Sequence, residues 1–514
     1  MLDFSTTIAF AASLVLSAAQ SAPEATHEPR AAPTLVTGPA NSTEAIPIPT
    51  DASISGNDSV EIKGVRVPYQ YTVGTLPVFG TDNKPIASVF YTYYRRTDVD
   101  DVSTRPLVFS FNGGPGSASV WMHVAYTGPR LLRIDEEGFP VQPYGIEDNP
   151  HSILDVADIV YVDPVNTGFS RPVAGQDAAQ FFGVDNDIAY LARWIGTFVV
   201  RNGRWTSPKY LIGESYGTTR CAGLAAALQS SQWMYLNGVI LVSPTELGVR
   251  RDGIVDAALA LPYYAATAWF HKKLPADLQA KELEEMLPEV ERFTLDELLP
   301  AMARGGSLEP ERRAALVARY ARYSGLDEVV VRNYNFAVPT SFFWKELLRD
   351  EGFTVGRLDS RYRGLDAQDA GTSPDFDPSL TSWNHAFAPA INHYLRDVLG
   401  WKTDLQYWIF GPVSGWSFDQ DRTGQALRRA MAENPFLHVL VQSGYFDGAT
   451  DYFNAKYTMW TMDPSGRFQD RMRWRGYRSG HMMYLREPDL ATSNQDIRDF
   501  IRDSMPKPGA PARR

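Results

Sequence analysis

Apolar and polar positions alternate from Val65 through Val67, Tyr69 and Tyr71, and residues 87–94 are dense in β-formers. That spacing predicts two antiparallel strands opening a sheet. The pattern then changes. Residues 107–111, 157–162, 210–212 and 238–243 are nearly continuous apolar runs, as expected of strands covered on both faces. Between them, Ile188, Leu191, Ala192 and Ile195 share one side of a helix over 184–200, and residues 218–228 are helix-prone. Strands alternating with helices predict a mainly parallel sheet. After Ser243 the β signal stops. Residues 249–400 read as mostly helical, with helices over 278–286, 294–303, 310–323, 341–350 and 388–399 and a polar loop over 365–382. This is a cap inserted over the carboxyl end of the sheet. Sheet signals return at 436–441, and 497–501 predicts a closing helix. The expected organisation is an α/β core over 59–248 and 401–504, interrupted by the cap. The chain contains no internal repeat.

The chemistry gathers where strands end. Gly213-Glu214-Ser215-Tyr216-Gly217 lies between a strand and a helix, the context of a nucleophile elbow. Its turn needs small neighbours, raises the Ser215 hydroxyl above the strand, and aims the Tyr216 N–H where an oxyanion would form. Residues 107–111 empty into Asn112-Gly113-Gly114-Pro115-Gly116, which suits an oxyanion hole, an anion nest, or equally a plain glycine loop. A serine needs a base, and the base needs an orienting acid. In this kind of sheet they follow the serine in the order acid, then histidine. Asp447 stands at the carboxyl end of the strand over 436–441, and His481 is the one histidine after it, in a glycine turn. Competing groups fit less well. Asp163 precedes the serine, Asp451 reads as a helix cap, His438 lies in a strand, and His123 reads as structural. His385 and His393 have no clustered carboxylates or cysteines beside them, so no metal site is expected.

Composition narrows the picture. A net charge of -11 argues against a nucleic-acid partner. One cysteine, Cys221, excludes an intrachain disulfide and reads as packing on the elbow helix. Residues 1–22 resemble a secretory signal, with an apolar stretch at 8–16 followed by small residues. Residues 23–58 and 505–514 read as disordered tails. No later stretch is long and apolar enough to span a membrane. Export without disulfides points to a bacterial periplasm or exterior.

Five motifs taken together resemble the serine carboxypeptidase family over about residues 106–484. They are Asn112 to Ser117, Asp163 with Gly168-Phe169-Ser170, Gly213 to Gly217, Gly444 to Asp447, and Gly480-His481-Met482. The resemblance implies an α/β-hydrolase fold with a helical insertion, no cofactor, and removal of the C-terminal residue from peptides with a free C-terminus, often at acid pH. It implies a Ser215–His481–Asp447 triad and oxyanion N–H groups from Gly114 and Tyr216. Asn112, the Gly113 backbone and Glu214 would hold the substrate carboxylate, and Met482 would line the leaving-residue pocket. Glu214 could serve only when protonated, because two carboxylates at hydrogen-bond distance repel. The chain departs from the family at two points. Ser110 replaces a tryptophan, and Tyr126 replaces the glutamate that partners the one beside the serine. An esterase or acyltransferase on the same scaffold is therefore the alternative; a prolyl aminopeptidase or a non-catalytic binding protein fits less well.

Overall fold

The computed structural model describes residues 48–249, 251–419 and 421–507. Nine strands form the central sheet: β1 (Ala52–Ile62), β2 (Val65–Phe79), β3 (Pro85–Arg96), β4 (Leu107–Phe111), β5 (Asp158–Val162), β6 (Lys209–Glu214), β7 (Gly238–Val242), β8 (His438–Gly444) and β9 (Met472–Tyr477). They lie in the order β1-β2-β3-β5-β4-β6-β7-β8-β9, and the pair Arg171–Pro172 adds to β3. β1 to β3 are antiparallel, β5 runs against β3, and every pairing from β5 to β9 is parallel. This is the α/β-hydrolase fold.

The apolar runs are explained by burial on both faces. Val108, Ile159, Ile212 and Ile240 point into a core shared with α1 (Val120–Ala125) and the helix Glu487–Ser504. Their neighbours Phe109, Val160, Leu211 and Leu241 point into a second core with α2 (Val184–Arg201) and α3 (Tyr216–Ser231). A period of two along each strand serves both layers.

A third core holds the insertion, from Ala258 to Val355, and includes Tyr445, Phe446, Tyr452 and Phe453 from beyond β8. The helix Pro378–His393 does not join it. Trp383, Phe387 and Ile391 pack into the α1 core instead. The loop expected to run to Ser382 ends earlier, at Asp377, whose side chain accepts from the Ser379 N–H and caps this helix.

The expectation of a disordered tail to residue 58 is corrected. Residues 52–58 form most of β1, registered from Ala52 against Thr75 to Ile62 against Val65. Only Val60 and Ile62 of that strand are buried, which is why its sequence reads as polar. Residues 1–22, where a secretory signal is expected, residues 23–47 and residues 508–514 lie outside the described residues. No helix among the described residues is long and apolar enough to cross a membrane.

Candidate active site

Backbone crowding fixes the elbow between β6 and α3. A Cβ on Gly213 would sit 2.1 Å from the Gly217 carbonyl oxygen, and one on Gly217 would sit 2.7 Å from that of Phe111. Between these glycines Ser215 is held at φ 57°, ψ −129°. A non-glycine residue pays of order 1–3 kcal/mol for such a backbone. The neighbouring structure enforces it: the Ser215 N–H donates to Val242 (3.0 Å) and its carbonyl accepts from Thr218 (2.9 Å).

The glycine loop after β4 is tied to the same helix. Arg220 of α3 pairs with Asp187 of α2 at 2.7 Å, both fully buried. The guanidinium donates to the carbonyls of Asn112 and Pro115, each at 2.6 Å. Gly114 has φ +105°, and a Cβ on Gly113 would lie 2.5 Å from the Tyr216 nitrogen. Small residues here let the loop lie against the elbow.

Asp447 and His481 meet from the ends of β8 and β9, with Nδ1 2.7 Å from Oδ2. Asp447 is fully buried, and it also accepts from the Ala449 N–H (2.8 Å), the Thr450 N–H (3.1 Å) and the Thr450 hydroxyl (2.7 Å). Burial opposes its charge, but His481 and these donors win and hold the carboxyl below its usual range. Burial also opposes charge on His481. The Asp447 carboxylate outweighs it and raises the imidazole above its usual value. With Nδ1 taken by Asp447, Nε2 is left for other chemistry.

Glu214 is 4% exposed, and desolvation raises its carboxyl to about 7 despite His481 and the Tyr484 hydroxyl pulling the other way. The Tyr484 hydroxyl donates to Glu214 Oε2. Tyr484 stacks on Tyr126, with centroids 4.5 Å apart and planes at 13°. The Tyr126 hydroxyl donates away from the site, to Gln442 Oε1 at 2.8 Å. Tyr126 thus braces the partner of Glu214. Ser110 is buried in β4, and its hydroxyl has no partner among the described residues.

A cavity of about 320 Å³ brings most of the sequence candidates together. Gly113, Gly114, Glu214, Ser215, Tyr216, His481 and Met482 line it. Asp447 stands behind His481. Asn112 is fully buried; its Oδ1 accepts from the Met122 N–H at 3.0 Å, and its Nδ2 has no partner among the described residues. Trp121, Thr245, Arg357, Phe410 and Phe418 also line the cavity and were not singled out from the sequence. Thr450 and Tyr484 were missed too, although each follows a triad candidate by three residues. The rival groups have other work. Asp163 accepts from the Ser119 N–H (2.8 Å), Asp451 caps the helix Tyr452–Met462, and His123 Nε2 is bonded to the Tyr94 hydroxyl at 2.6 Å. Cys221 is buried, and burial raises its thiol.

Residues 78–297 match the serine carboxypeptidase family, a span that includes the glycine loop and Ser215 and ends before Asp447. Serine carboxypeptidase-like 36 of Arabidopsis thaliana is 29% identical over 170 residues, 32% of this chain and 33% of that protein. Serine carboxypeptidase S10 family member 1 of Dictyostelium discoideum is 28% identical over 141 residues, 27% of this chain and 31% of that protein. The chain thus spans about a third of the length of these curated relatives. In fold it is similar to the crystal structure of Kex1(delta)p, a prohormone-processing carboxypeptidase from Saccharomyces cerevisiae. The TM-score is 0.50 at 13% identity, covering 85% of this chain and 92% of that one.

Proposed function

We propose that this chain, similar to the serine carboxypeptidase family over residues 78–297, removes C-terminal residues from peptides through an acyl-enzyme on Ser215. The observation that carries the reading is the Asp447–His481 pair at 2.7 Å, with His481 lining one cavity together with Ser215 and a buried Glu214. His481 Nε2 takes the Ser215 proton as Oγ bonds to the scissile carbonyl carbon. Asp447 holds the tautomer and stabilises the imidazolium. The Gly114 and Tyr216 N–H groups receive the oxyanion, each worth about 3 kcal/mol in the transition state. His481 then gives its proton to the leaving nitrogen as the C–N bond breaks. Water repeats the sequence on the ester and frees Ser215.

Glu214, with the Gly113 backbone and Asn112, receives the substrate carboxylate. A carboxyl raised to about 7 is protonated at acid pH and can donate to that carboxylate. Met482, in the cavity wall, packs on the leaving residue. Export of the chain, expected from its first residues, belongs to the same reading.

An active-site fluorophosphonate tests the chemistry. It should label Ser215, abolish release of free amino acids from a blocked dipeptide, and fail to label Ser215→Ala. No labelling would overturn the proposal. A second reading, an esterase or acyltransferase, is favoured by one observation: the partner of Glu214 is the hydroxyl of Tyr484, with Tyr126 stacked behind it in place of a second carboxyl. Turnover of small esters without peptide cleavage would select it.

A further inference from the structure

Between Val355 and Tyr362 the chain leaves the insertion and passes between the loops that carry Asp447 and His481. Its backbone is bonded to both. The Gly448 N–H donates to the Arg357 carbonyl at 2.9 Å, and the His481 N–H donates to the Leu358 carbonyl at 2.7 Å. The Ser360 N–H donates to Phe446 at 2.9 Å, and Asp359 Oδ2 accepts from the Gly480 N–H at 3.2 Å. Asp377 receives the N–H groups of Arg357 (3.1 Å) and Leu358 (3.3 Å). The base of the Arg357 side chain is therefore fixed against both triad loops.

Three other cations of the insertion are paired. Arg361 is paired with Asp359 at 2.7 Å, Lys345 with Asp366 at 2.5 Å and Arg349 with Glu346 at 2.5 Å. Arg357 is exposed, lines the cavity, and has no carboxylate partner among the described residues. Among the described residues, the one carboxyl in the cavity wall is Glu214, at the elbow. An arginine is always charged, and its planar fork matches a carboxylate with two parallel hydrogen bonds. An unpaired guanidinium beside a nucleophile is placed to meet charge on whatever enters.

We propose that Arg357 is a specificity residue that binds a carboxylate of the substrate beside the scissile bond. The inference rests on the hydrolase reading above and adds a substrate class, acidic peptides. Two carboxylates could reach it: an aspartate or glutamate side chain, or the C-terminal carboxylate. In that reading Glu214, the Gly113 backbone and Asn112 take the C-terminal carboxylate, which leaves a side-chain carboxylate to Arg357.

The experiment compares wild type, Arg357→Gln and Arg357→Lys on blocked dipeptides that differ only in Glu against Gln, at either position, as free acid and as amide. Nitrophenyl esters of blocked Glu and Gln run beside them, and phosphonate labelling of Ser215 reports that each variant is folded. The expected result is a Glu-over-Gln preference of about fivefold in kcat/KM, lost in Arg357→Gln and partly kept in Arg357→Lys. Loss of the acid-over-amide preference alone would assign the guanidinium to the terminal carboxylate. Ratios unchanged in Arg357→Gln would overturn the proposal, whatever happened to the individual rates. If peptides are not cleaved but the ester preference still depends on Arg357, the carboxypeptidase reading fails and this one stands.

Discussion

Replacing Glu214 by glutamine removes one ionisation from the centre of the molecule, and its consequences can be worked out beforehand. Burial lifts this carboxyl from 4.5 to about 7, so the folded protein favours its protonated form. The difference corresponds to roughly 3 kcal/mol. The folded pKa is the raised one, so the contribution to stability is whole below about pH 4.5 and is lost as pH rises through about 7. Glutamine is neutral throughout. The variant should match wild type near pH 4 and be more stable by up to roughly 3 kcal/mol near pH 8.5. His481, Asp447, Tyr484 and Asn112 all face this carboxyl, and His481 titrates with it, so the midpoint belongs to the pair. Denaturant unfolding of both proteins at pH 4.5, 6.5 and 8.5 measures the difference directly. A stability difference that does not change with pH would refute the account of Glu214.

Three other perturbations probe the rest of the site. Asp447→Asn removes the charge that orients His481 and should lower kcat by about 10⁴ with little change in KM, measured by steady-state kinetics. Arg220→Met leaves Asp187 buried and unpaired and should cost about 3–5 kcal/mol in denaturant unfolding. Adding Asp187→Leu should restore much of that stability but not kcat/KM, because the carbonyls of Asn112 and Pro115 still lack their donor. Gly213→Ala puts a methyl group 2.1 Å from the Gly217 carbonyl, so soluble, phosphonate-reactive protein should be lost.

What the sequence makes legible follows from burial. β4, β5 and β7 are buried at every position, so composition alone marks them as strands. β9 escaped notice because it is an edge strand whose Arg473 and Arg475 pair with Asp503 and Asp496 on the closing helix. β1, the other edge, reads as a polar tail for the same reason. Ser215, Asp447 and His481 could be proposed because each has its own strand-end context. Their surroundings could not. Tyr484 becomes a partner of Glu214, and Arg357 a wall of the cavity, only when segments more than a hundred residues apart fold together. The turns themselves held a usable signal, since a hydroxyl three residues after each partner returns to the site.

The central claim is that a free C-terminal carboxylate is recognised beside Ser215. The measurement that tests it most directly uses one blocked dipeptide as free acid and as amide, from pH 4 to 8, with Ser215→Ala as control. The account predicts cleavage of the free acid alone, falling as pH rises through about 7 and absent in Ser215→Ala. Equal cleavage of acid and amide, or a free-acid rate that keeps rising to pH 8, would contradict it.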